Sequence, residues 1–251
     1  MSGAVAAIHI SPAVRTLANG NASQELVISP AAKKCYDLSQ LKWQVCGMVP
    51  YLWKIDHLVD IHNAPDAEIA PIAAHVPGSV QKALLDAGIL RDWNVALNAR
   101  DAEWVENRDW IYQAELPDDW IGEGKQIWLR CAGLDYRGCI LLNGVAILPF
   151  KGSFTPYEID LKPFLKPKHN LLQIWLQPPP RWMGESGYTS EITEWKPRFN
   201  YYWDWTSRMV QAGIWDRITL DVVSVGEILR ANCTSEAEPD AKQGSLRGCA
   251  T

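Results

Sequence analysis

A chain of 251 residues with a formal net charge of -5 is long enough to bury the core of one large β domain or two small ones. Its mild acidity, with no block of Lys and Arg interleaved with aromatics, gives no electrostatic case for nucleic acid, and no apolar stretch approaches the length that spans a bilayer. Thirteen Trp against four Phe is the strongest compositional bias, and it favours a carbohydrate-facing or interface-rich surface, because an indole offers a broad flat face and one N–H donor.

Residues 1–34 are rich in Ala, Ser, Asn and Gly without sustained periodicity and are expected to form a loosely ordered arm. The start, Met1-Ser-Gly-Ala-Val-Ala-Ala, lacks a basic segment followed by a long apolar run, so no signal peptide is predicted and a cytoplasmic location is the expectation. Leu38 to Val45 reads as entry into a first strand, and the Pro- and Ala-rich piece from Asp60 to Pro71 as a loop. Ser79 is placed to cap a short helix in which Val80, Leu84 and Leu85 recur at helical spacing, with Gly88 as its stop.

From Glu103 onward the pattern is one of strands: Trp110 to Leu116, Gln126 to Cys131, Gly138 to Leu142, Val145 to Leu148, Tyr157 to Leu161, Leu171 to Leu176 and Trp215 to Val223. Asn143-Gly144 tolerates the positive φ angles of a two-residue hairpin. About eight short strands interrupted by one helix predict an all-β fold, an antiparallel jelly-roll β-sandwich, over residues 35–228. Residues 229–251 are polar and small and are expected to form a disordered tail.

The six cysteines show no Cys-x-x-Cys and no nearby histidine pair, so neither a metal nor another cofactor is expected, and buried reduced thiols are the default. Cys131 and Cys139 stay open as a facing pair. His57, His62, His75 and His169 lie far apart without a ligand pattern, and Ser79 sits in no Gly-x-Ser-x-Gly elbow. Glu106, Arg108 and Asp109 are expected to form a salt-bridged loop cluster between Trp104 and Trp110 rather than a catalytic pair.

The most informative stretch runs from Phe199 to Trp215 and gathers aromatics around a single acid, Asp204. Two readings stay open. The aromatics can close the end of a sandwich core, which residue chemistry alone favours, or they can face a pyranose whose C–H face lies on an indole while its hydroxyls donate to the carboxylate. Arg198 is placed either to reach such a sugar or to pair with Asp204. The insertion between Pro178 and Asn200 is too long for a plain connection and leads directly into Trp203-Asp-Trp205.

Taken in order, Val76-Pro-Gly78 and its short helix, Trp104-Val-Glu-Asn-Arg-Asp-Trp-Ile-Tyr112, Leu142-Asn-Gly144, Tyr157-Glu-Ile-Asp160, Trp203-Asp-Trp205 and Gly213-Ile-Trp215 resemble the N-terminal domain of the β-mannosidases of glycoside hydrolase family 2. The resemblance covers roughly Leu38 to Val225. It implies a galactose-binding-like jelly roll that is followed, in such enzymes, by an immunoglobulin-like sandwich and a TIM barrel holding the two catalytic glutamates of retaining hydrolysis. It also implies that Trp203, Asp204 and Trp205 help bind the terminal mannose at the barrel mouth. Two departures stand out: Thr206 and Ser207 follow where the family usually has Gly-Pro, and the chain ends where the second domain is expected, so no catalytic residue is assigned within it and it is expected to be inactive alone. The remaining expectations are a stand-alone carbohydrate-binding module, or a domain that exists to dock on its missing neighbours through exposed apolar surface.

Overall fold

The computed structural model describes residues 8–10, 33–50, 67–122, 126–181, 183, 193–223, 231–237 and 244–250. They fall into two units, Lys33–Ser224 and a second made of Met1–Ala32 with Val225–Thr251. Numbered along the chain, the strands are β1 (Ile8–Ile10), β2 (Lys33–Asp37), β3 (Trp43–Met48), β4 (Ala67–Ala74), β5 (Gly78–Ser79) and, past a helix at Val80–Asp86, β6 (Asp109–Leu116). A one-turn helix at Asp118–Ile121 leads to β7 (Gln126–Cys131), β8 (Leu134–Asp135), β9 (Arg137–Leu142), β10 (Val145–Lys151), β11 (Tyr157–Asp160) and β12 (Asn170–Leu176). β13 (Gly213–Ile214), β14 (Ile218–Val223), β15 (Ala231–Ala237) and β16 (Gly244–Ala250) complete the order.

The larger unit is the expected antiparallel sandwich. One sheet runs β10-β9-β12-β6-β3-β4 and the other β11-β7-β14-β2, while β5-β13-β8 form a short ribbon. In β7 the side chains alternate, with Ile127, Leu129 and Cys131 buried between half-exposed Trp128 and Arg130, as one buried face requires. β6 and β12 lie in the middle of the larger sheet and are buried on both faces, which is why they read as nearly continuous apolar runs. Trp110, Tyr112, Ile140 and Ile174 meet Leu129 and Leu220 in the shared core. Each contributes about 1.5–3 kcal/mol by leaving water. Among the described residues no helix is long and apolar enough to cross a membrane.

The local signals account for several elements. Asn143 and Gly144 take φ angles of 55° and 83°, so the backbone reverses within two residues between β9 and β10. Ser79 accepts the Lys82 N–H at 3.2 Å and caps the helix, whose Val80 and Leu84 are fully buried.

The first expected strand starts later than the pattern suggests. Leu38–Gln40 is a 3-10 turn in which the Asp37 side chain accepts from the Ser39 N–H, and the Trp43 indole donates to the Leu38 carbonyl at 2.7 Å across the corner. The loop expected from Asp60 to Pro71 is corrected in part: Ala67–Ala74 is the edge strand β4, where Pro71 lacks an N–H without breaking an interior ladder, and residues 60–66 lie outside the described ones. Cys131 and Cys139 are both free and buried, and they sit on strands of different sheets. His57 and His62 lie outside the described residues.

In the smaller unit, β1 runs parallel to β16, which pairs antiparallel with β15 from Ala231↔Ala250 to Ala237↔Gly244. These segments, expected as an arm and a tail, therefore carry a backbone ladder. The low apolar content of β15 and β16 argues against a packed core but does not prevent main-chain pairing.

The β5-β13-β8 ribbon sets the position of the segment described next, and it depends on a close approach. A Cβ on Gly213 would stand 2.3 Å from the Gly78 carbonyl oxygen and 2.8 Å from the Ser79 Cα. Gly213→Ala is expected to lower the thermal midpoint, with a cost of about 1–3 kcal/mol for overpacking. An unchanged midpoint by circular dichroism would contradict the pairing.

Candidate functional site

The segment that carries Asp204 is pinned on both sides of it, at residues 194–196 and 208–212. Two residues before Lys196, the Glu194 carboxylate accepts from the Tyr136 hydroxyl and stands 3.1 Å from the Lys151 ammonium, and the Trp195 N–H donates to the same hydroxyl at 3.1 Å. Lys196 follows, with a fully buried side chain whose ammonium donates to Asp135 Oδ2 at 2.6 Å and to the Gln211 carbonyl at 2.7 Å. Asp135 Oδ1 accepts from Ser153 Oγ at 2.7 Å, and the Ser153 carbonyl accepts the Trp215 indole N–H at 2.7 Å. Burial pushes the Lys196 ammonium below its usual range, against the opposing pull of Asp135.

Between these anchors the chain makes a 3-10 turn at Arg198–Asn200 and is closed by the Met209 N–H donating to the Asn200 carbonyl at 2.9 Å. Tyr201 points inward. It packs with Met183 and Val210, its hydroxyl donates to the Pro180 carbonyl, and burial raises its pKa. On the exit side, Arg208 donates to Glu106 Oε1 at 2.6 Å and lies 5.9 Å from the Tyr201 ring centroid. The Gln81 amide donates to the Val210 carbonyl at 2.9 Å, and the Val80 N–H to the Ala212 carbonyl at 2.8 Å, so the helix Val80–Asp86 holds the last residues of the segment.

The sequence-predicted trio sits at the tip. Trp203 and Thr206 form an antiparallel bridge, with the Thr206 N–H donating to the Trp203 carbonyl at 3.0 Å, so Asp204 and Trp205 occupy the two central positions of a tight turn. The closing donor is the backbone N–H of residue 206, so this bond does not depend on the side chain that stands there. Asp204 is exposed, Trp205 is 82% exposed and Trp203 38%. Among the described residues Asp204 enters no ion pair, and Arg198 does not reach it. Phe199, Tyr202 and Trp195 are exposed as well, and Trp215 meets Phe154 edge to face at 5.4 Å between centroids. The aromatics therefore do not all close the core: Tyr201 does, and the residues around Asp204 face outward.

The expected cluster of Glu106, Arg108 and Asp109 is corrected. Glu106 pairs with Arg208, Arg108 reaches Glu68 on the edge strand β4, and Asp109 is buried at the start of β6. These partners lie 102 and 40 residues away in the chain, beyond the reach of a local pattern. Lys196 and Asp135 were missed outright. The only local signal was a lysine set in the aromatic, Pro-containing run Glu194-Trp-Lys-Pro-Arg198. Among the described residues, no group of three His, Cys, Asp or Glu is placed to hold a metal ion.

With this geometry in hand, residues 53–216, more than half of the chain, match the family model described as glycosyl hydrolase 2 galactose-binding domain-like. Beta-mannosidase B of Emericella nidulans is 27% identical over 176 residues, which cover 64% of this chain and 21% of that protein. Beta-mannosidase B of Aspergillus niger is 27% identical over 163 residues, covering 59% and 19%. The crystal structure of a beta-D-mannosidase from Dictyoglomus thermophilum matches over 82% of this chain and 25% of its own, with a TM-score of 0.65 and 23% identity. A b-glucuronidase from Ruminococcus gnavus in complex with D-glucuronic acid matches over 89% and 35%, with a TM-score of 0.58 and 18% identity. Both structures speak for the fold. The chain spans about a fifth of the length of the curated relatives it matches.

The Glu194 anchor carries a pH dependence. Burial raises the Glu194 carboxyl, but donation from Tyr136 and Lys151 and the charges of Lys151 and Arg137 outweigh it and hold the group below its ordinary 4.5. A carboxyl with a depressed folded-state pKa stabilises fully above its unfolded value and loses that contribution as pH falls through the folded one. The gap in thermal midpoint between the unmodified chain and Glu194→Gln is therefore expected to be full at neutral pH and to close below about 4.5. A gap independent of pH would contradict the anchor.

Proposed function

Because this chain belongs to the glycosyl hydrolase 2 galactose-binding-like family, we propose that it is the non-catalytic N-terminal domain of a β-mannosidase-like glycoside hydrolase, in which Trp203, Asp204 and Trp205 form one wall of the site for a terminal β-D-mannose. The observation that carries this reading is the turn itself: an exposed carboxylate that enters no ion pair among the described residues, flanked by two indoles, at the tip of a segment fastened at both ends. The neighbouring acids are otherwise engaged, Glu106 by Arg208, Asp135 by Lys196 and Glu194 by Lys151.

Asp204 accepts hydrogen bonds from sugar hydroxyls, and the indoles wall the ring. Retaining hydrolysis needs two carboxyl groups about 5–5.5 Å apart on either side of the scissile bond. One acid at a turn tip supplies a binding group, and the acid/base and nucleophile come from a barrel domain of the whole enzyme. The exposure of Trp205 supports a wall that a neighbouring domain completes over a self-contained pocket, since a pocket that binds sugar unaided buries most of its ligand.

Calorimetric titration of the chain with methyl β-D-mannoside is expected to give weak affinity, about millimolar or 4 kcal/mol. Asp204→Ala is expected to weaken it at least about tenfold, as losing a charged hydrogen-bond acceptor does. No turnover of an aryl β-mannoside is expected. Micromolar affinity would favour a stand-alone binding module, and turnover comparable to a complete glycosidase would refute the reading.

A further inference from the structure

A fully buried lysine in the segment that carries an exposed turn calls for a physical reason. Burying an ammonium and a carboxylate costs several kcal/mol per ion, and even an ideal pair seldom outperforms an apolar pair of the same volume. Lys196 and Asp135 nevertheless occupy the interior, and their bonding extends beyond each other. The Lys196 ammonium also donates to the Gln211 carbonyl, and the second Asp135 oxygen is taken by Ser153.

The places of these groups in the chain give the reason. Lys196 lies just before the segment that carries Trp203-Asp-Trp205 and Gln211 just after it, so a single ammonium draws the two ends together. Through Asp135 it also fastens them to β8, which the ladder Gly213↔Asp135 and Ile214↔Leu134 holds against β13. An apolar side chain at position 196 could fill the space and pack against its neighbours, but it could not hold the Gln211 carbonyl. The Met183, Tyr201 and Val210 cluster supplies apolar packing nearby, and the Arg208–Glu106 pair adds a second fastening on the exit side. Loop ends fixed in this way restrict the conformations open to the tip.

We propose that Lys196 is the positioning residue of the Trp203-Asp204-Trp205 turn: its ammonium, bound to Asp135 and to the Gln211 carbonyl, holds both ends of the segment so that Asp204 presents its carboxylate to the sugar in one orientation. This role rests on the reading of the turn as a sugar wall.

The test uses the full chain labelled with 5-fluorotryptophan, the Trp203 and Trp205 fluorine resonances being assigned through W203F and W205F. Lys196→Met is compared with Lys196→Met/Asp135→Leu, which removes both charges and leaves no orphaned carboxylate. The single variant is expected to melt well below the unmodified chain, and the double variant to recover most of that loss. In the double variant the two resonances are still expected to shift and narrow, and affinity for methyl β-D-mannoside to fall about tenfold or more, as for a displaced positioned group. Resonances and affinity that return together with stability would overturn the proposal and leave the pair a structural one.

If neither variant folds, the unmodified chain decides by hydrogen exchange and acetylation. The Thr206 and Met209 amides are expected to open together with the Lys196 side chain, whose amine, once released from Asp135 and deprotonated by solvent, is acetylated by acetic anhydride with loss of acetate. Free exchange of those amides while Lys196 resists acetylation overturns the proposal. If the unmodified chain binds no mannoside, the sugar-wall reading fails on its own, and the fluorine spectra still decide whether Lys196 holds the turn.

Discussion

One ammonium group, removed from water and shared between a carboxylate on β8 and a carbonyl on the far side of a loop, is the constraint around which this end of the sandwich is arranged. A buried charge tolerates little error in distance, because the attraction that offsets its desolvation is lost as soon as the partners separate. Asp135 therefore has to keep its place opposite Lys196. That place is set by the β5-β13-β8 ribbon, in which Gly213 lets β13 approach the backbone of Gly78 and Ser79 without a Cβ between them. The order of dependence runs from a glycine contact, through a short ladder and an ion pair, to the tip of a turn.

The aromatic residues divide by the same logic. Trp43 and Trp110 are core residues whose indole N–H groups find backbone carbonyls within 2.8 Å, so burial leaves no donor orphaned. Tyr201 is turned inward beneath the turn, while Trp205 and Trp195 are left in solvent at 82% and 81% exposure. Large flat side chains in water are an unfinished surface. Beside the exposed Asp204 carboxylate, they are the surface on which the proposed sugar wall rests.

Much of the fold was legible because its signals are local. Asn143-Gly144 names its own turn, Ser79 its own helix, and the alternation of β7 its buried face. β4 was misread because Pro71 is a poor strand residue everywhere except at an edge, and edge position is a property of the assembled sheet. The site was half legible. Trp203, Asp204 and Trp205 stand next to one another in the sequence, and their exposure follows from a turn closed by residue 206. What fastens them does not: Lys196 meets Asp135 across 61 residues and Arg208 meets Glu106 across 102, and a solvated lysine is the sensible expectation until the partner is seen.

The most direct measurement of the central claim is a two-dimensional NMR titration of the indole N–H resonances with methyl β-D-mannoside, using D-galactose as the control sugar. The account predicts that the Trp203 and Trp205 signals move in a saturable way with the mannoside while those of the buried Trp43 and Trp110 stay still. Movement of the core indoles alone, or no movement at Trp203 and Trp205 at mannoside concentrations that perturb other residues, would contradict it.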